Sequence, residues 1–170
     1  MKKLVYIALF VISCITSVSA QKYAFIDVEY ILNQMPEYSE AQKQLNDLAD
    51  KFQKEIEAKY TAISKKENEL KQEEILLPPA TKAQRQAEID QMRQEAQLFQ
   101  QQKFGVNGDL FAKRKELIEP IQNKIYKEVK KMSDDKGYDF VLDKGANSNI
   151  LFVDPKYDKS DYVLKQLKQE

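Results

Sequence analysis

From Tyr38 onward an apolar residue recurs every third or fourth position: Tyr38, Ala41, Leu45, Leu48, Phe52, Ile56, Tyr60, Ile63, Leu70 and Leu77. That spacing lays one apolar stripe along a helix, with a local slip at 52-56-60. The residues between are chiefly Lys, Glu, Gln, Asp and Ala, which suit a solvated helical face. The stretch "EEILLPPATKA" interrupts the series, because Pro78 and Pro79 end one helix and suit the opening of another. Thr81 or an adjacent residue is the expected cap of that second helix. The pattern then resumes at Ile89, Met92, Ala96, Phe99, Val106, Leu110, Leu117, Ile121, Ile125, Val129 and Met132, with Lys103 and Lys113 on the seam. An antiparallel hairpin lets each helix cover the other's stripe, whereas one kinked rod would leave both bare. The 39 residues of positions 39–77 span about 58 Å at ~1.5 Å per residue, too long for a compact core.

The flanking segments follow another period. Residues 22–27, "KYAFID", read as a strand, with a short helical piece from about Val28 to Met35 before Pro36. "GYDFVLD" alternates, placing Tyr138, Phe140 and Leu142 on one face. "NILFVD" reads as a continuous apolar strand, with "KGANSN" as the turn between these two. The last helix has Asp158 or Ser160 as its cap and Tyr162, Val163, Leu164 and Leu167 as its apolar content. The fold class expected is α+β. A long helical hairpin (39–117, tip at 75–81) forms a coiled-coil arm, and 21–38 with 118–170 form a small β-rich body. A body of roughly 70 residues has too small a core to carry such a lever alone, so an obligate oligomer is expected. Phe25, Ile26, Phe140, Leu142, Ile150, Leu151, Phe152 and Val153 are the strand residues expected between copies.

Residues 1–20 carry a basic head at Lys2 and Lys3, a short apolar run, and small residues at Val18-Ser19-Ala20. This predicts a secretory signal peptide cleaved after Ala20, and hence a periplasmic product. The competing reading is a lipidated Cys14 in "VISC", which would leave the apolar "ITSV" on the mature terminus. Removing Lys2 and Lys3 from 27 basic residues leaves 25 against 27 acidic ones, a net of −2. With the leader gone, no Cys, His or Trp is left. Zinc sites, thiol nucleophiles and imidazole bases are therefore excluded by inventory, and no cofactor is expected. Near-neutral charge also argues against nucleic acid, whose binding relies on a strongly basic face. An enzyme is not expected. The carboxylates of Asp154, Asp158 and Asp161 lack the glycine and distal glutamate of a calcium loop.

The segments "YAFIDVEYIL", "GYDFVLD" and "SDYVLKQLK", set around a long charged hairpin, resemble the Skp/OmpH family of periplasmic chaperones. The resemblance covers essentially the whole chain after residue 20. It implies a homotrimer in which strands of three chains form a barrel and three hairpins project like tentacles. It also implies an ATP-independent holdase for unfolded outer-membrane β-barrel proteins, and the chain has no Gly-rich phosphate loop. Known members are often strongly basic. This chain is not, so no lipopolysaccharide site is carried over, and weak contact with a membrane surface completes the expected partners. The alternative is a structural coiled-coil spacer of the cell envelope.

A holdase needs apolar residues off the hairpin seam. Phe104 and Phe111 lie seven apart, one position beyond the seam series, with Ile118 extending their line. They are expected to bind the client, as are Ile75, Leu76 and Leu77 at the tip, where the other role for the triplet is to staple the turn. Lys82 and Arg85 stand beside that tip and suit acidic client segments. Gly105 and Gly108 in "FGVNGD" lie inside the return helix, as weak spots, a close helix approach, or a joint that lets arms splay. Pro120 is expected to bend that helix where arm meets body.

Overall fold

The computed structural model describes residues 21–145 and 149–169; the leader, Cys14 and part of "KGANSN" lie outside them. Elements follow in the order β1 (Tyr23–Ile26), α1 (Val28–Asn33), α2 (Pro36–Glu73), α3 (Pro79–Phe104), α4 (Asp109–Lys136), β2 (Phe140–Asp143), a 3-10 turn (Pro155–Tyr157) and α5 (Ser160–Leu167). The chain divides into two compact units. One comprises the described residues up to Ile31 and from Ile125 onward, and the other is Leu32–Lys124.

The second unit is the helical hairpin. α2 runs for 38 residues, about 57 Å at ~1.5 Å per residue. It buries Ala41, Leu45, Phe52, Ile56, Ile63 and Leu70, a three-and-four spacing that keeps one face inward. Ile89 and Ala96 of α3 pack against Ile63 and Leu70, with Leu77 and Met92 partly covered beside them. Charged pairs flank this seam: Lys66 with Glu88 at 2.6 Å, and Arg93 with Glu67 at 2.8 Å. Such exposed pairs set register more than they stabilise, each contributing roughly 0.2–1 kcal/mol. Not every seam position is filled. Tyr60 and Val106 are exposed.

The reversal begins earlier than the prolines. α2 stops at Glu73, residues 74–78 make the turn, and Pro79 opens α3 behind an extended Pro78. Thr81 does not cap α3; it sits within the first turn, where Lys82 N–H already donates to the Pro78 carbonyl at 3.0 Å. The return limb is two helices, not one. Gly105 adopts an extended conformation (φ −64, ψ 170), so α3 ends at Phe104 and α4 starts at Asp109. Pro120 lies inside α4 without ending it, and Ile118 and Ile121 beside it are buried.

The first unit is knit from both ends of the chain. β1 and β2 pair in parallel, Tyr23 opposite Phe140 through Ile26 opposite Asp143. "NILFVD" forms no strand: residues 149–154 take no regular structure, and the chain enters the 3-10 turn at Pro155. Apolar content alone cannot hold an extended segment in a sheet without a neighbour to share its hydrogen bonds. α1 is capped by Asp27, whose Oδ1 accepts from Tyr30 N–H at 2.8 Å. α4 ends at Gly137, at φ +66, where Tyr138 N–H reaches back to the Ser133 carbonyl at 3.0 Å. Ala24, Ile26, Ile31, Ile125, Met132, Val163 and Leu164 form the buried interior. Glu128 lies among these buried positions at 3% exposure, its Oε1 without a hydrogen-bond partner among the described residues.

Candidate functional site

No group of metal-ligating side chains exists among the described residues, and no described helix is long and apolar enough to cross a membrane. Among the described residues, exposed aliphatic and Phe side chains gather in three places.

At the tip, the apolar triplet divides. Leu77 turns inward onto the seam cluster, while Ile75 and Leu76 are 96% and 83% exposed. With α2 ended at Glu73 the triplet lies in the turn, where Leu77 comes over the seam and Ile75 and Leu76 remain in solvent. The cations beside the tip are already engaged. Arg85 pairs with Glu73 at 2.6 Å, and Lys82 pairs with Glu74. The Glu74 carboxyl is held below the ordinary carboxylate value chiefly by its hydrogen bond from Lys82. Both cations are thus exposed beside the tip but already have carboxylate partners within the chain.

Midway along the arm is the helix break. Phe104 is 40% exposed, and its ring meets Phe52 edge-on at 6.1 Å, so it stands partly on the seam. Phe111 is half exposed. Their seven-residue spacing does not define one line, because the chain between them leaves the helix at Gly105 and re-enters it at Asp109. Ile118 is buried and belongs to the interior. The seam cation Lys103 is accommodated by stacking: its ammonium lies 5.0 Å from the Phe52 ring centre and 5.2 Å from that of Phe99. It also pairs with Asp109 across the break. Both glycines are required there: a Cβ on Gly105 would stand 2.3 Å from the Gln101 carbonyl oxygen, and one on Gly108 2.6 Å from that of Gln102. Leu98 and Val106, the first never singled out and the second placed on the seam by periodicity, are exposed beside this break. The paired glycines were expected inside one continuous return helix, as a weak spot, a close approach or a joint; instead the helix ends there, which uncovers these neighbours.

The third surface lies in the unit built from the chain ends. Phe140 and Leu142 on β2 are about half exposed, and Leu151 and Phe152 are almost fully so. Phe25, Ile150 and Val153 are partly covered, whereas Ile26 is buried in the chain's own interior. These residues sit on a firmly clasped frame. Asp158 accepts from Ser160 N–H at 2.9 Å and Ser160 Oγ at 2.6 Å, and pairs with Lys144 at 2.8 Å. Ser160 Oγ in turn accepts from Asp27 N–H at 2.8 Å. Burial alone would raise the Asp158 pKa, but the Lys144 and Ser160 hydrogen bonds outweigh it and hold the carboxyl below its usual range. The same hydrogen bond raises the Lys144 pKa.

Comparison with known proteins gives these features a context. The profile of the family "Outer membrane protein (OmpH-like)" matches residues 22–167. "Chaperone protein Skp" of Yersinia enterocolitica is 26% identical over 156 residues, covering 89% of each chain. A crystal structure from Caulobacter crescentus CB15, described as an OmpH-like outer membrane chaperone, superposes with a TM-score of 0.70 at 11% identity. That superposition covers 89% of this chain and 86% of the other.

Proposed function

The chain belongs to the OmpH-like outer membrane protein family, which supports a chaperone role, and from that premise we propose that it is an ATP-independent periplasmic holdase. It binds unfolded outer-membrane β-barrel proteins between helical arms and keeps them from aggregating in transit. The observation that carries this reading is large apolar side chains held in solvent along an otherwise charged helical hairpin, at its turn, its break and its helices. Ile75, Leu76, Leu98, Val106 and Phe111 are all more than half exposed. Scattered among charges, they offer weak apolar contacts without the continuous patch that makes a monomer aggregate. Several such contacts per molecule raise residence time through effective concentration, with no nucleotide needed.

The working form is a homotrimer, exported with residues 1–20 removed. Phe140, Leu142, Leu151 and Phe152 support it, since apolar exposure this concentrated marks a surface that another chain covers. The domain plan follows: 39–117 as the arm, and 21–38 with 118–170 as the assembling body.

Light scattering tests the proposal. A urea-denatured outer-membrane barrel protein is diluted into buffer with and without residues 21–170, no ATP being present, and the chaperone's mass is measured in parallel. The expected result is suppressed scattering by a species three times the chain mass. A monomer that leaves scattering unchanged sinks it.

A further inference from the structure

The helix break in the return limb leaves an open cavity of about 480 Å³. Its surroundings depart from the rest of the arm. Charged residues make up 32% of the whole chain, yet the cavity wall is made by Leu98, Val106 and the amide side chains of Gln101, Gln102 and Asn107. The one ionised wall residue, Asp109, is neutralised by Lys103. The wall is therefore without net charge. The backbone at the break adds donors. Gly105 N–H bonds the Gln101 carbonyl and Gly108 N–H the Gly105 carbonyl, but between them the amides of Val106 and Asn107 donate to no acceptor among the described residues.

We propose that this cavity is a docking groove for a short extended peptide segment that carries no charge and alternates apolar with small polar side chains. The match is one of charge and of hydrogen bonding. An uncharged wall excludes ionised segments, which would lose hydration without gaining a counter-charge. The free amides and the Gln and Asn side chains satisfy the main chain of an extended segment, whose N–H and C=O groups otherwise have only water. Leu98 and Val106 receive the side chains on one face of such a segment, which recur every second residue. A nascent transmembrane β-strand has this composition. The inference rests on the holdase reading and assigns a location to one of its contacts.

The test uses residues 21–170 and a fluorescein-labelled ten-residue peptide that alternates Val, Leu and Tyr with Ser, Thr and Asn. Anisotropy gives its affinity for the wild type, for Leu98→Glu/Val106→Glu, and for the tip variant Ile75→Glu/Leu76→Glu. Both pairs are solvent-facing, and a far-UV circular dichroism melt checks each for unchanged folding. The expected result is a loss of tenfold or more for the groove variant alone, and no binding of a peptide with Asp and Lys at its polar positions. Equal affinity of wild type and groove variant, or no peptide binding by the wild type, overturns the groove. So does an altered oligomer mass in the groove variant with unchanged affinity, which would make this face a contact between copies. Suppression of barrel-protein aggregation is measured on the same samples. If suppression persists while peptide binding is absent, the groove fails and the holdase reading stands; the reverse outcome sinks the holdase reading and leaves a peptide site.

Discussion

Replacing Asp158 with alanine removes three contacts at once, from Ser160 N–H, Ser160 Oγ and the Lys144 ammonium. Hydrogen bonds to a charged group contribute ~1.5–3 kcal/mol each, but these three share one carboxylate and do not add. Lys144 and Asp158 are 29% and 28% exposed, so water takes back part of the loss. The Ser160 hydroxyl, in a residue only 4% exposed, is left without its acceptor. We expect a cost of about 2–4 kcal/mol at pH 7. The pH dependence is specific. A carboxyl with a depressed folded pKa contributes fully above its unfolded value of ~3.9, and its contribution is lost as pH falls through the folded value. Lys144, raised in the folded state, keeps its contribution below ~10.4 and loses it as pH rises through its folded value. Wild type and Asp158→Ala should therefore differ most near neutrality and converge toward pH 2. Urea unfolding followed by tyrosine fluorescence reads this unit well, since no Trp is present and Tyr23, Tyr30, Tyr126, Tyr138, Tyr157 and Tyr162 all lie in it. The measurement is made at one fixed protein concentration, because the proposed assembly would add to apparent stability. A loss under ~0.5 kcal/mol at pH 7, or a gap as wide at pH 2.5 as at pH 7, refutes the reasoning.

Other changes test other parts. Ile89→Ala should cost ~2–5 kcal/mol in arm stability, read by helical ellipticity in urea, because Ile89 is 2% exposed against Ile63 and Leu70. Gly105→Ala should destabilise by at least ~1 kcal/mol, since backbone cannot yield to a Cβ set 2.3 Å from the Gln101 oxygen; a neutral or stabilising effect would mean that the break is not required. Glu128→Met should stabilise by ~1–3 kcal/mol, read as a higher urea midpoint, because it removes a buried carboxylate oxygen without a partner. Arg85→Met should change stability by less than ~1 kcal/mol, as expected of one exposed ion pair at the tip.

The hairpin was the most legible part of the fold, because its period persists for many turns and adjacent prolines admit few conformations. Ala41, Leu45, Ile63 and Leu70 are buried as their spacing requires. Legibility failed where local pattern and tertiary context part. "NILFVD" has strand composition, but strands are defined by partners, and a stretch of apolar residues names none. Val106 held a seam position only while the return helix was counted as continuous; Gly105 breaks the phase and turns it outward. Lys103 read as a flaw in the seam, whereas the rings of Phe52 and Phe99 and the Asp109 carboxylate receive it. Ion pairing of Lys82 and Arg85 depends on how the turn closes, a geometry that charge placement along one chain does not reveal.

The parallel pairing of β1 with β2 also orders events in time. The Lys22 amide bonds the Asp139 carboxylate across 117 positions, and the Asp27 amide bonds Ser160 across 133. Contacts of such separation form slowly, while a helical hairpin closes from neighbours along the chain. The arm is therefore expected to fold first, while β1 has no partner until residue 140 has been made. A product ending before residue 140 would carry a finished arm and an unpaired β1, without the surface proposed for assembly. Under the proposed trimer, completion of the chain would act as the checkpoint for assembly, keeping truncated molecules out.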